Sequence, residues 1–168
     1  MARGLQTESF VDALTGTSGN ATTLATAFGL TNPLDRLVLT ANGNLQRLIA
    51  SYYDADVSVR VEGCSFRQEN PRVWDRTVYL EVLGVEFCRA ESEVTIQQDS
   101  CQELVASGQV GLGQLFRYLN VLPMFFLREA GVDPITGGIW REYTLQCDAL
   151  TCQIREEFIP GLWELDHR

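Results

Sequence analysis

The spacing of hydrophobic residues changes near position 54, from a helical period to a strand period. Before it, apolar residues recur at intervals of three and four, at Leu45, Leu48, Ile49 and Tyr52. This stripe predicts a helix that begins just after the Asn-Gly-Asn turn at residues 42–44. From Val57 onward, apolar and polar residues alternate instead, which is typical of a strand with one buried face.

Five further segments extend this strand-rich region. Alternation or a short apolar run predicts strands over residues 74–83, 85–96, 124–129, 139–147 and 150–159. Gly84 separates the first two closely enough for an antiparallel hairpin. Residues 110–120 are predicted to form a helix that ends before Pro123. Because strands and helices do not alternate regularly, the pattern favours an α+β fold, with a mainly antiparallel sheet of about six strands and helices covering one face.

The chain has the length of one domain, so residues 1–168 are expected to form a single domain. Within it, residues 1–30 are expected to hold a short N-terminal helix and a mobile connector, rich in Thr, Ser and Gly, at 15–26. Residues 1–14 lack the apolar core of a signal peptide, and the longest apolar run, residues 121–127, is too short to span a membrane. These features predict a cytoplasmic protein with no membrane partner.

Charge and side-chain chemistry narrow the range of partners. Acidic residues outnumber basic ones by 22 to 13, a formal net charge of −9, and no basic cluster is present, which argues against nucleic acid. All 13 basic residues are arginine, so Schiff-base chemistry on lysine and the P-loop lysine are excluded. The single histidine, His167, lies at the end of the sequence, an unsuitable place for a catalytic relay. A small carboxylate-bearing molecule is the expected partner, and both a monomer and a homodimer remain open.

The five cysteines do not form a metal-binding pattern. No C-x-x-C pair occurs, and their spacing matches no zinc site, so neither a metal nor another cofactor is expected. Buried free thiols in a reducing compartment are the simplest interpretation. A disulfide between Cys147 and Cys152 across a turn is the alternative.

Three charged residues fall on the apolar faces of predicted strands, where an unpaired charge is costly. Arg76, Arg141 and Glu156 each alternate in step with apolar neighbours. One interpretation is an internal ion-pair network. The other is a pocket for a carboxylate, since an arginine fork binds carboxylates and apolar surroundings raise the pKa of a carboxyl group towards neutrality. Backbone N–H groups at Asn42 are a further candidate for anion binding, the alternative being an ordinary turn and helix cap.

Short motifs around these residues carry a resemblance to a known family. The segments are 37–48 (LVLTANGNLQRL), 75–80 (DRTVYL), 88–92 (CRAES), 110–116 (VGLGQLF), 141–143 (REY) and 154–160 (IREEFIP). They contain an arginine opening an R-x-V-x-L strand, a Leu-Gly pair before a helix and a glutamate in an E-x-F-[LI]-P strand, at Arg76, Leu112-Gly113 and Glu156. In these features the chain resembles the chorismate lyase family (chorismate–pyruvate lyase, 4-hydroxybenzoate synthase), especially its divergent branch of short proteins.

The resemblance implies a six-stranded antiparallel sheet with helices on one face and a small, largely enclosed pocket between them. It also implies cleavage of chorismate to 4-hydroxybenzoate and pyruvate, without metal or organic cofactor. In that role Arg76 would hold a substrate carboxylate and Glu156 would mediate proton transfer. Backbone N–H groups near Leu112 and Gly113 would assist, and Arg141 would be a second carboxylate-binding residue or a wall residue.

Two other functions remain open. Residues 40–47 depart from the pattern of the divergent branch, because Asn42-Gly43 and Gln46 stand where that branch has an acidic residue with Gly, and then Thr. This difference motivates a diverged homologue that catalyses hydrolysis, dehydration or ring closure on another carboxylate or a polyketide-like substrate. The remaining function is binding of an aromatic acid without turnover.

Overall fold

A computed structural model describes residues 29–107 and 111–166, and these form four α-helices, one 3-10 turn and six β-strands. The helices are α1 (Pro33–Leu39), α2 (Leu45–Tyr53), α3 (Gln102–Ala106) and α4 (Leu112–Tyr118), with the 3-10 turn at Asp99–Cys101 before α3. The strands are β1 (Val57–Arg67), β2 (Asn70–Val82), β3 (Val85–Ile96), β4 (Met124–Val132), β5 (Ile139–Gln146) and β6 (Leu150–Phe158). The predicted N-terminal helix, the connector at 15–26 and His167 lie outside the described residues.

All six strands belong to one sheet. Their order is β1-β2-β3-β6-β5-β4, and every neighbouring pair is antiparallel, which confirms the predicted α+β class and antiparallel sheet. The predicted hairpin of β2 and β3 is also present. It is closed by Leu83 and Gly84, whose φ angles are 54° and 75°. Two consecutive positive φ values are what a type I′ turn requires, and the twist of that turn matches the twist of the flanking strands.

The two faces of the sheet differ in what covers them. The inner face carries the buried apolar side chains, with α1 packed against β5 and α2 against β1 and β2. The open face carries half-exposed pairs of arginine and carboxylate, among them Arg155 with Glu142 and Arg67 with Asp75. Covering only one face separates an apolar core from a charged surface in contact with water.

The segment after β6 fastens α1 and α2 to the rest of the molecule. The indole Nε1 of Trp163 donates to Asp35 Oδ1, in the first turn of α1, at 2.7 Å. At the end of α2, the hydroxyl of Tyr52 donates to the Trp163 carbonyl oxygen at 3.0 Å, and the hydroxyl of Tyr53 donates to that of Leu162. Both helices are therefore held by this segment as well as by their own apolar side chains.

Several boundaries differ from the predicted ones, and α1 and α3 were not predicted. β4 continues to Val132 because a bulge after Leu127 interrupts the alternation on which the prediction depended. β2 begins earlier than predicted, at Asn70, and α4 covers only the middle of the predicted 110–120 helix. α1 has seven residues, too few for a periodic stripe, although the Asn32 side chain caps it and Pro33 occupies its first position.

The five cysteines are free thiols, so the alternative of a disulfide between Cys147 and Cys152 is wrong. Cys152 pairs with Leu145 in the β5–β6 register, whereas Cys147 lies just beyond the end of β5. The two cysteines are diagonal neighbours across the hairpin, at about 7–8 Å between Cα atoms, and a disulfide spans roughly 4.4–6.8 Å. Burial raises the pKa of the Cys152 thiol, which makes it a poor nucleophile.

Thiol labelling tests this arrangement. In the native protein we expect half-buried Cys147 to react first and Cys64 more slowly, because burial raises the pKa of the Cys64 thiol. Buried Cys88, Cys101 and Cys152 should react only after unfolding. Timed alkylation followed by peptide mass mapping gives the order. Fewer than five reactive thiols in the denatured, unreduced protein would contradict the arrangement.

Candidate active site

The three buried charges belong to two neighbouring rows of side chains on the inner face of the sheet. Across β2, β3, β6 and β5, the first row is Arg76, Ser92, Ile154 and Tyr143, and the second is Val78, Ala90, Glu156 and Arg141. Arg76, Arg141 and Glu156 expose only 4%, 1% and 5% of their surface, in agreement with the inward orientation predicted from the sequence. On β3, between the charges, both rows have small side chains, which leave space above the sheet.

Glu156 is the centre of a hydrogen-bonded cluster. Arg141 Nε donates to Glu156 Oε2 at 2.7 Å, and the Tyr143 hydroxyl donates to Glu156 Oε1 at 2.7 Å. The Arg141–Glu156 contact is an internal ion pair, as one of the two interpretations of the sequence expected. The apolar surroundings expected for the carboxylate by the other interpretation are absent, because each of its oxygens has a polar partner on β5. Burial raises the pKa of Tyr143, and the nearby Glu156 raises it further, so the hydroxyl keeps its proton and remains a donor.

Arg141 joins this cluster to the helices. Its Nη1 donates to the carbonyl oxygens of Val38, Leu39 and Ala41 at 2.9, 3.1 and 2.9 Å. Val38 and Leu39 end α1, and the last carbonyls of a helix have no partner within it. Burial lowers the pKa of Arg141, but opposing effects, led by the Glu156 carboxylate, leave it raised and the guanidinium charged. These contacts favour a wall residue over a second substrate clamp.

Arg76 marks the other end of the site. It lies on β2, two strands away from β6 and one row away from Glu156. At about 4.8 Å between strands and about 3.3 Å per residue, the two Cα atoms are roughly 12 Å apart. Burial lowers the pKa of Arg76, while nearby thiols act in the opposite direction. The guanidinium stays protonated because its ordinary pKa is so high. A cation and a carboxylate cluster thus stand at opposite ends of the site.

A cavity of about 70 Å³ lies between these rows and the helices α2 and α4. Its sheet side consists of the two rows together with Leu80 and Leu145, and its helix side of Gly43, Leu45, Gln46, Leu112 and Gly113. The volume is enough for roughly five to seven water molecules at about 10–15 Å³ each. Larger hollows of about 850 and 580 Å³ lie on the open face. We assign the site to the small cavity because it contains all three buried charges.

A direct backbone contact closes the helix side of this cavity. A Cβ atom added to Gly113, in the first turn of α4, would stand 2.6 Å from the carbonyl oxygen of Gly43. Gly43 itself has a φ of 66°, a conformation that favours glycine. The Leu112-Gly113 pair was predicted from the sequence to contact the substrate. Packing gives a second reason for a glycine at position 113. Only glycine lets the start of α4 approach the turn before α2 this closely.

Most of the site residues predicted from the sequence come together. Arg76, Leu112, Gly113, Arg141 and Glu156 all line the cavity. Asn42 lies beside it in the half-buried turn before α2, outside the set of described lining residues. Its Oδ1 is buried and has no hydrogen-bond partner among the described residues.

Three polar lining residues, Gln46, Ser92 and Tyr143, were not assigned to the site from the sequence, although Gln46 was noted as a departure from the family pattern. Tyr143 shares its strand face with Arg141, so the same alternation that identified the arginine contained a signal for the tyrosine. Ser92 follows the inward-facing Ala90 by two residues and therefore shares its face. A single serine on a strand face does not by itself indicate a binding site. Gln46 reaches the cavity only because α2 packs on β1 and β2, which no local pattern shows.

No protein-family model matches the chain, and no curated protein is significantly similar to it. Within residues 29–107 and 111–166, no group of three or more His, Cys, Asp and Glu side chains is placed to hold a metal ion. No helix of these two ranges is long and apolar enough to cross a membrane. Fold and site together define an α+β protein with a buried Arg–Glu–Tyr cluster beside a small cavity.

Replacing Arg141 with Met tests whether the cluster holds the helices to the sheet. The change leaves Glu156 buried without its cation, and we expect the free energy of unfolding to fall by about 3–5 kcal/mol. The matched control is Arg155→Met, which removes ion pairs on the open face and should cost about 0–1 kcal/mol. Urea titration followed by circular dichroism measures both. Equal losses in the two variants would contradict the role assigned to Arg141.

Proposed function

We propose that this chain is a chorismate lyase-like enzyme, which eliminates pyruvate from chorismate or a similar cyclic carboxylate without a cofactor. The observation that carries the proposal is the placement of Arg76 and Glu156 in one small cavity, at opposite ends of its sheet side. A ring lies between them, with its carboxylate at Arg76 and its reacting carbons towards Glu156. A guanidinium fork suits the first task, and a positioned glutamate suits proton transfer.

The proposed reaction needs no reagent besides the substrate. The ether bond between the ring and the enolpyruvyl group breaks, and the ring carbon that carries the hydroxyl loses a proton, which makes the ring aromatic as 4-hydroxybenzoate. The leaving enolpyruvate gains a proton and becomes pyruvate. Glu156 takes up the ring proton in this scheme, and the donors on Arg141 and Tyr143 fix the direction of its carboxylate. Leu112 and Gly113 bring the first N–H groups of α4 to the cavity, where these meet the second carboxylate.

The dimensions of the cavity argue against an extended substrate. Its volume of about 70 Å³ is smaller than the cavity of about 150 Å³ that holds a benzene ring, so α2 and α4 must move outward to admit even one ring. An extended chain would need a larger displacement, which favours elimination from a cyclic carboxylate over chemistry on a polyketide-like substrate. It also directs the first experiment to chorismate.

The test is to incubate the purified protein with chorismate and to follow pyruvate and 4-hydroxybenzoate together. We expect both products in equal amounts, and a loss of about 10²–10⁴-fold in rate for Glu156→Gln, which lacks the proton-transfer group. The matched control is Glu157→Gln, since Glu157 is the next residue on β6 and is exposed on the open face. Its rate should stay close to that of the wild type. Circular dichroism of each variant confirms that the protein is folded.

Two results would contradict the enzymatic proposal. Absence of both products with folded wild-type protein would exclude chorismate as the substrate. Equal rates for the Glu156 and Glu157 variants would remove Glu156 from the chemistry. Either result directs attention to a second function of the same cavity.

A second candidate function is binding of an aromatic acid without turnover. The observation that favours it is the pairing of Glu156, because both of its oxygens already accept hydrogen bonds from the protein. In that case 4-hydroxybenzoate would raise the free energy of unfolding by the amount expected from its concentration and dissociation constant. The ligand itself would remain unchanged. Product analysis separates this function from the lyase.

A larger side chain on the sheet side of the cavity tests whether the ligand binds there in either proposed function. Ala90 lies between the two charged ends of the site, so Ala90→Leu places a larger side chain in the cavity. We expect calorimetric titration to show at least a tenfold weaker affinity for 4-hydroxybenzoate, with a change in unfolding free energy below about 2 kcal/mol. The control Ala106→Leu adds the same side chain at an exposed position of α3 and should leave binding unchanged. Undiminished binding by Ala90→Leu would place the ligand elsewhere.

A further inference from the structure

Gln46 brings a polar group into the cavity from the helix side. It lies in the first turn of α2, is half-buried, and shares that side of the cavity with Gly43, Leu45, Leu112 and Gly113. Its carboxamide is therefore the hydrogen-bonding side chain that the described helix residues contribute to the lining. The surface around it is otherwise aliphatic or backbone.

Three other polar side chains of the lining form hydrogen bonds with protein groups, whereas Gln46 forms none with the described residues. Arg141 and Tyr143 both donate to Glu156, and the Ser92 hydroxyl donates to the carbonyl oxygen of Arg76 at 3.4 Å. The Gln46 carboxamide makes no hydrogen bond to any residue within 29–107 and 111–166. The carboxamide is not among the buried polar groups that lack a partner, and Gln46 also borders a more open hollow beside Gln114, so water can reach it. A ligand in the cavity would take the place of that water.

The position of Gln46 relates it to the Arg76 end of the cavity. α2 packs against β1 and β2, and Arg76 lies on β2, whereas Glu156 is two strands away on β6. The Gln46 side chain is also confined laterally, because its Oε1 would be 3.4 Å from a Cβ atom on Gly111, just before α4. The carboxamide therefore lines the same cavity as the Arg76 guanidinium, from the helix that covers the strand of Arg76.

From this arrangement we propose that Gln46 is a specificity-determining residue, which recognises the carboxylate of the ligand together with Arg76. The carboxamide N–H donates to one carboxylate oxygen from the helix side, while the guanidinium binds from the sheet side. Arginine alone accepts any anion, whereas a second donor from above selects a planar carboxylate on a ring that extends towards Glu156. The inference rests on the proposed function, because it assumes a carboxylate ligand in this cavity.

Exchanging the donor for an acceptor tests this role. We compare Gln46→Glu and Gln46→Leu with the wild type by calorimetric titration, using 4-hydroxybenzoate and its carboxamide, 4-hydroxybenzamide, as probes. The wild type should prefer the carboxylate. In Gln46→Glu, the new carboxylate repels that of the ligand but accepts a hydrogen bond from the carboxamide, so we expect affinity for the acid to fall at least tenfold and the preference to shift to the amide. Gln46→Leu should weaken binding of the acid without creating a preference for the amide.

Gln114→Glu is the matched control, since it adds the same charge at an exposed position of α4 outside the cavity lining. An acidic residue in the first turn of α2 is compatible with folding, because it faces the positive end of the helix dipole. Equal ligand preferences for the Gln46→Glu and Gln114→Glu variants would overturn the inference while leaving the proposed function intact. A wild-type protein that binds neither probe and does not convert chorismate would overturn both.

Discussion

The buried guanidinium of Arg141 is the interaction on which the arrangement of sheet and helices depends. A charge this deeply buried is tolerated only where hydrogen-bonding partners surround it, and here they come from two layers of the molecule. Glu156 supplies a carboxylate from the neighbouring strand, the end of α1 supplies two carbonyl oxygens, and Ala41 just beyond it supplies a third. Because α1 is fixed at its last turn, the chain enters residues 42–44 and then α2 at a defined place above β2. The helix side of the cavity is therefore positioned by the same contact that holds the carboxylate.

In the proposed function, the strands carry the charged groups of the site and the helices cover the cavity above them. Arg76 and Glu156 lie on β2 and β6, so their separation is set by strand spacing and register, which are among the least variable dimensions of a protein. The helices contribute aliphatic side chains, first-turn backbone groups and the Gln46 carboxamide. Groups on a sheet are held more rigidly than groups on loops, which suits a site that must keep a ring at a fixed distance from a carboxylate.

The sequence alone was sufficient to place Arg76, Arg141 and Glu156 on the inner face, because the two-residue period of a strand depends only on backbone geometry. It did not show how these charges pair. Glu156 meets Arg141 because β6 lies between β3 and β5 and because their register makes these residues direct neighbours. The sequence therefore left an internal ion pair and apolar surroundings open for Glu156, and the strand order decided for the ion pair. The family assignment and the reaction stay predictions, because a site and not a fold determines chemistry.

The contact between Gly113 and the Gly43 carbonyl restricts which cavity residues can be substituted during evolution. No side chain, not even a methyl group, fits there without moving a helix, so this point of the helix side cannot change in size. The lower wall is different, because Ala90 and Ser92 project from the middle of a strand whose backbone is already paired on both sides. Descendants of this chain that adopt larger or smaller ligands would therefore change at these two positions of β3 and retain both glycines. The cavity can thus be enlarged or narrowed from the sheet without disturbing the packing of α4 against the turn before α2.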